Sequence, residues 1–230
     1  MTLQNKTTNI KDAISSITDG SSIFIGGFGI PGTPFCLIDE LVKNGAKELT
    51  IIKNDANENG QGIDLLLQNG QVKKLITSHI GLNSNAIEMM NEKKITVEFV
   101  PQGILAERIR AAGAGLMGIV TDIGIDTKLA ENKIKVNINE TEYLFEPALK
   151  ADFAFIHAAV SDTFGNLIYE KSSRNFNPLM AMATKTCIVE SEEIKELGEL
   201  DPNEVHTPGP FVDKIVYLEK LTKDYDVFKR

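Results

Sequence analysis

An α/β fold, with a mostly parallel sheet carrying helices on both faces as a three-layer sandwich, is the class this sequence predicts. Three observations predict it. Short apolar runs rich in β-formers alternate with stretches of helical periodicity through the first half of the chain. Loops rich in glycine and asparagine follow those runs, and right-handed crossovers would line such loops along one sheet edge. The 230 residues, 42% hydrophobic and 24% charged, are enough for a real core.

Ile10, Ala13, Ile14 and Ile17 recur at helical spacing, so a first helix is expected over 9–18. Ser22-Ile-Phe-Ile25 reads as a short buried strand. Gly26, Gly27, Gly29 and Gly32 then crowd one turn, before Thr33 as N-cap and Pro34 as first helical residue. The helix over 34–44 has Leu37, Ile38, Leu41 and Val42 as its apolar stripe, and Gly45 ends it. Strands follow over 49–52, 72–77, 96–100 and 118–121, all read into the one parallel sheet. The helices between them carry Ile63, Leu66 and Leu67, then span 84–91 and 103–112. Alternation over 133–138 and 142–145 predicts a hairpin, a small β-lobe within one domain over 1–230. Further strands are expected over 153–159, 186–189 and 212–218.

The bulk properties exclude several functions. A net charge of −8 argues against nucleic acid as the main partner, because phosphate binding needs a basic footprint. His79, His157 and His206 form no metal-ligand spacing, and neither do Cys36 and Cys187, so no metal is expected. No apolar run reaches membrane-spanning length, and the N-terminus has no apolar leader core, so a cytoplasmic protein is expected.

Three loops on the shared edge carry unusual chemistry: 26–32, Asn54-Asp55 and Pro101-Gln-Gly103. The glycine loop lets backbone N–H groups approach an anion or a carbonyl oxygen. The Gln102 amide can donate to an oxygen that gains charge during acyl transfer. Gly27-Phe-Gly29-Ile-Pro-Gly32 with Asp55 also fits the dinucleotide fingerprint, so an NAD(P)-dependent dehydrogenase is the competing reading. Pro31 and the late helix start oppose it. Glu58 lies in a loop polar all round and reads as a solvated turn. Arg108 and Arg110 cannot share a helix face, so at most one points at a ligand. Arg174-Asn-Phe-Asn-Pro178 reads as a turn into a helix containing Met180 and Met182. No nucleophile elbow or Ser/His/Asp order is present, so the chain offers oxyanion donors without an attacking group.

In order along the chain, Asp19-Gly20, Ile23-Phe-Ile25, Gly26-Gly-Phe28, Gly32, Pro34, Pro101-Gln-Gly103 and Glu107-Arg-Ile-Arg-Ala-Ala-Gly-Ala-Gly115 resemble the α subunit of 3-oxoacid CoA-transferases, of family I. So do Gly165-Asn166, Arg174-Asn-Phe-Asn-Pro178 and Glu199-Leu-Asp-Pro202 with His206-Thr-Pro-Gly209, which extends the resemblance over nearly the whole chain. The resemblance implies CoA transfer between a 3-oxoacid such as acetoacetate and a short acid: succinate, acetate or butyrate. It implies a glutamyl-CoA intermediate on the glutamate of a Ser-Glu-Asn-Gly motif in a partner β subunit. This chain lacks that motif, and Glu58, preceded by Asn57, does not inherit the role. The resemblance makes Gln102 the oxyanion donor. It makes Gly26, Gly27, Phe28, Gly29, Ile30, Pro31, Gly32, Asn54 and Asp55 the substrate and CoA contacts, with coenzyme A as substrate and no tightly bound cofactor. It also implies a heterodimer or an α2β2 assembly. Asp55 and Gly32-Thr-Pro34 resemble the acetate/butyrate branch, whereas the 108–115 and 201–209 runs resemble the succinyl branch, so the acid stays open. Thr121-Asp-Ile-Gly124 departs from the family's Thr-Pro-Thr-Gly.

Overall fold

Successive side chains of a strand point to opposite faces, and in this chain that divides the core in two. In β1 (Ser22–Ile25), Ile23 and Ile25 join one buried cluster and Phe24 the other. The computed structural model describes residues 4–222 and Tyr225; the outermost parts of the expected 1–230 domain lie outside the described residues.

The first half alternates α1 (Ile10–Ile14), β1, α2 (Phe35–Asn44), β2 (Leu49–Ile52), α3 (Ile63–Gln68), β3 (Val72–Thr77), α4 (Ser84–Asn91), β4 (Thr96–Phe99) and α5 (Gln102–Gly113). The second half holds β5 (Gly118–Thr121), β6 (Ile134–Ile138), β7 (Thr141–Pro147), β8 (Ala151–Asp162), β9 (Leu167–Ile168), α6 (Asn177–Met182), β10 (Thr184–Lys195) and β11 (Lys214–Tyr217). The main sheet has eight strands in the order β11-β10-β8-β1-β2-β3-β4, with β9 paired antiparallel to β8 and every other pair parallel. Ile14, Leu37, Leu41, Ile63, Leu66 and Ala86, from α1 to α4, fill one face, while Ile104, Leu105, Ile109 and Met180, from α5 and α6, fill the other. The three layers follow, as the alternating pattern predicts.

Strand order reverses beside β1. The chain runs outward from β1 to β4, then returns on the other side with β8. Ligands of open α/β sheets collect at the carboxyl ends of strands at such a switch point, and the glycine loop leaves β1 there.

Two expectations need correction. Residues 118–121 do form a strand, but outside the parallel sheet: β5 pairs antiparallel with β7, in a three-stranded sheet ordered β5-β7-β6. A strand of the central sheet would be buried on both faces, and Val120 is 44% exposed. The expected hairpin is thus the rest of that sheet. Nor is Thr33 the N-cap of α2. Pro34 takes that place, and the Thr33 hydroxyl donates to the Gly29 carbonyl at 2.6 Å. Among the described residues no helix is long and apolar enough to cross a membrane.

Candidate active site

The glycine loop is bolted in place from both sides. On one side, Asn177 of α6 is fully buried, and its amide nitrogen donates to the carbonyls of Gly32 at 3.1 Å and Ser173 at 2.8 Å. Asn175 donates to the Pro31 carbonyl at 2.9 Å. The stretch Arg174-Asn-Phe-Asn-Pro178 is therefore more than a turn into a helix. Its two asparagines satisfy carbonyls of the glycine loop, that of Gly32 in a buried place.

On the other side stands the loop after β2. The N–H of Gly29 donates to Asp55 Oδ2 at 2.8 Å, and the Gly29 carbonyl accepts from Asn57 Nδ2 at 2.8 Å. Asp55 is 5% exposed and also accepts from the Asn57 N–H at 2.9 Å and from Lys53 Nζ at 3.1 Å. Burial alone would raise the Asp55 pKa, but the Lys53 ammonium and the two backbone donors outweigh it and hold the carboxyl below its usual range. Lys53 is fully buried, and loss of water pushes its pKa down against the pull of Asp55.

Within the loop, Gly26 donates to the Phe155 carbonyl at 2.9 Å and Phe28 to the Pro31 carbonyl at 3.0 Å. The N–H groups of Gly27, Ile30 and Gly32 have no partner among the described residues. Beside the loop lies a cleft of about 240 Å³. Phe28, Gly29, Ile30 and Pro31 form one wall, residues 55–58 another, and His79, Ile80 and Leu82, from the loop after β3, the third. The walls are mainly carbon, and Phe28 and Leu82 stand exposed at the rim.

Of the residues singled out from sequence, Phe28, Gly29, Ile30, Pro31 and Asp55 come together in this cleft. Gly26, Gly27 and Gly32 are buried behind it. Asn54 is fully buried outside the lining, where its side-chain carbonyl accepts from the Ser78 hydroxyl at 3.0 Å. Gln102 is exposed at the start of α5, one strand beyond the His79 loop and outside the lining. Its amide has no hydrogen bond among the described residues. Glu58 is exposed at the cleft mouth. Neither arginine reaches the cleft: Arg108 bonds Glu98 at 3.3 Å and the Pro147 carbonyl at 2.9 Å, and Arg110 pairs with Glu107 on the surface. Sequence reasoning missed Lys53, Asn57, Asn175 and Asn177. One signal for the first was present, since Lys53 and Asp55 are two residues apart at a strand end and so share a side.

The dinucleotide reading fails here. A pyrophosphate would need the N-terminus of α2, and that place is taken. The fully buried Glu190 accepts from the Leu37 N–H at 2.9 Å, and the Tyr225 hydroxyl accepts from the Phe35 N–H at 3.0 Å. Asp55, the residue a ribose would use, is already committed to Gly29, Asn57 and Lys53.

Glu190 also bonds Tyr225 and His157, which lies between two carboxylates, with Nδ1 2.9 Å from Glu190 and Nε2 3.0 Å from Glu192. Burial disfavours the imidazolium, but the bonds to Glu190 and Glu192 overcome this and push His157 up to about 9. A raised pKa contributes stability that is full below the ordinary value of 6.5 and is lost as pH rises through about 9. At about 1.4 kcal/mol per unit the loss is roughly 3 kcal/mol. Urea unfolding across that range should show the decline, and His157→Gln should flatten it. An unchanged slope in the variant would assign the decline to other groups.

A family model described as coenzyme A transferase matches residues 7–218. A probable coenzyme A transferase alpha subunit of Bacillus subtilis is 48% identical over 215 residues, covering 93% of this chain and 94% of its own. A succinyl-CoA:3-ketoacid coenzyme A transferase subunit of Helicobacter pylori is 43% identical over 216 residues, covering 94% of this chain and 93% of its own. The solved structure of an acyl-CoA transferase from Escherichia coli O157:H7, in a thioester complex with CoA, shares the fold with a TM-score of 0.83 at 23% identity. That match covers 96% of this chain and 48% of the other, so the chain spans about half the length of that protein. With a family match across almost all its described length and curated relatives matched nearly end to end, the chain belongs to the coenzyme A transferase family.

Proposed function

We propose that this chain is the α subunit of a heteromeric CoA-transferase, working in the cytoplasm as one domain with a β subunit, in a heterodimer or an α2β2 assembly. The enzyme moves CoA between a 3-oxoacid such as acetoacetate and a short carboxylic acid. The attacking glutamate belongs to the partner, and the glutamyl-CoA intermediate forms there. This chain contributes the cradle. Gly26 to Gly32 with Asn54 and Asp55 make the substrate side, directly or from behind the cleft wall, and Gln102 donates to the oxyanion. Coenzyme A is a substrate, and no resident cofactor is invoked.

One observation carries the reading. A glycine loop anchored from both sides, with the unpartnered N–H of Ile30 in its wall, borders an apolar cleft whose buried carboxylate, Asp55, is already tied to Gly29, Asn57 and Lys53. Such a site can polarise a carbonyl but holds no free, water-shielded carboxylate to attack it. Relatives named as subunits support the partner.

Mass spectrometry tests it. Acetoacetyl-CoA added to the purified chain should leave its mass unchanged. Added to the chain assembled with its partner, it should label a glutamate of the partner subunit. A covalent adduct on this chain alone would overturn the proposal.

A further inference from the structure

The floor of the cleft holds a charge that ought to repel the acid this site is proposed to serve. Asp55 lines the cleft, and a short acid arrives as an anion. Directly beneath, and closed to solvent, lies Lys53. Its ammonium is 3.1 Å from Asp55 Oδ1 and 3.5 Å from the Gly29 carbonyl oxygen. The lysine side chain is 0% exposed and the aspartate 7%. Lys53 thus touches no ligand space, yet it sits one carboxylate away from it.

We propose that Lys53 is a positioning and charge-balancing residue for the carboxylate substrate. It neutralises Asp55 at the cleft wall, while Thr33 and Asn57 hold the Gly29 carbonyl, so the glycine loop can hold an anion against a net-neutral wall. The proposal rests on the reading of this cleft as the acyl site. Three features carry it. A lysine ammonium with no exposure costs several kcal/mol in lost hydration, so it is retained only against a compensating partner. Of the donors to Asp55, Gly29 and Asn57 among them, only Lys53 brings a compensating charge. The side chains of the other titratable residues lining the cleft, exposed Glu58 and half-buried His79, make no hydrogen bond to the pair, although a backbone bridge joins His79 to Asp55. Among the described residues lining the cleft, no other buried ionisable group therefore cancels the Asp55 charge.

The assembled enzyme, assayed with acetoacetyl-CoA as donor and acetate as acceptor, tests this. Lys53→Met should raise the KM for acetate about tenfold or more, on the scale of an unscreened charge a few ångströms away. The KM for acetoacetyl-CoA, whose acyl group is neutral, should move far less. Lowering the pH should bring the acetate KM of this variant back down, because Asp55 then takes up a proton. The double variant Lys53→Met with Asp55→Asn removes both charges, so its acetate KM should fall well below that of Lys53→Met, and what remains of the change should be shared by both KM values because Asp55 also anchors Gly29 and Asn57. Equal rises in both KM values, or no rescue in the double variant, would overturn the proposal. Should Lys53→Met fail to fold, Asp55→Asn alone carries the test. It removes the carboxylate that Lys53 balances, so any loosening of the loop should move both KM values alike, and the acetate KM should not rise more than the KM for acetoacetyl-CoA. A rise confined to the acetate KM would overturn the inference. Leu82→Trp at the cleft rim separates the two levels of argument. If it leaves both KM values unchanged, the cleft is not the acyl site and both readings fall. If it acts while the Lys53 and Asp55 variants leave the acetate KM untouched, only the role of Lys53 falls.

Discussion

Alanine at Gly32 should remove nearly all transfer activity from the assembled enzyme and destabilise this chain by about 3 kcal/mol. Gly32 has φ +73°, and a Cβ built there would lie 2.3 Å from the Ser173 carbonyl oxygen and 2.6 Å from Asn177 Nδ2. The left-handed backbone costs a residue with a side chain about 1–2 kcal/mol, and forcing a methyl into a filled core adds about 1–3 kcal/mol. The damage would not stay local. Asn177 holds both the Gly32 and Ser173 carbonyls, so displacing it frees buried acceptors and loosens the glycine loop from behind. Gly29→Ala is the comparison. Gly29 also has positive φ, at +58°, but its Cβ would meet nothing within 4 Å. That variant should lose only about 1–2 kcal/mol, the backbone term alone. Urea midpoints and kcat measured side by side decide the matter. Equal behaviour of the two variants would mean that the Asn177 clamp does not hold the loop.

Gln102→Ala should lower kcat about 10²-fold with little change in KM, the loss typical of one oxyanion donor. The residue is placed for such work by its helix. It opens α5, a helix of 12 residues, directly after β4, so its amide and the positive end of the helix lie on the same sheet edge as the glycine loop. Its side chain is exposed and has no hydrogen bond among the described residues, so removing it should leave the fold intact. Stability and kinetics therefore separate in this variant. An unaltered urea midpoint with an unaltered kcat would end the assignment. Gln102 lies outside the cleft lining, and in the proposed enzyme the partner's carboxylate would attack from that open side.

What could be read from residue order was whatever depends on neighbours in the chain. The strands from β1 to β4 and the helices between them follow local apolar periodicity, and that was enough to name the layers and the edge that carries the loops. Motif order along the chain pointed to the family. Contacts between distant segments left no such trace. Asn175 and Asn177 reach the glycine loop across more than 140 positions of sequence, and Glu190 of β10 caps α2 across 153. The placing of β5 was equally hidden, because a four-residue apolar run reads alike in either sheet and its burial depends on which strands arrive beside it. Lys53 is the clearest case. Sequence shows a charged residue after an apolar strand, which a solvated loop would explain, and only the packing of the glycine loop against the loop of Asp55 turns that lysine into a buried counter-charge.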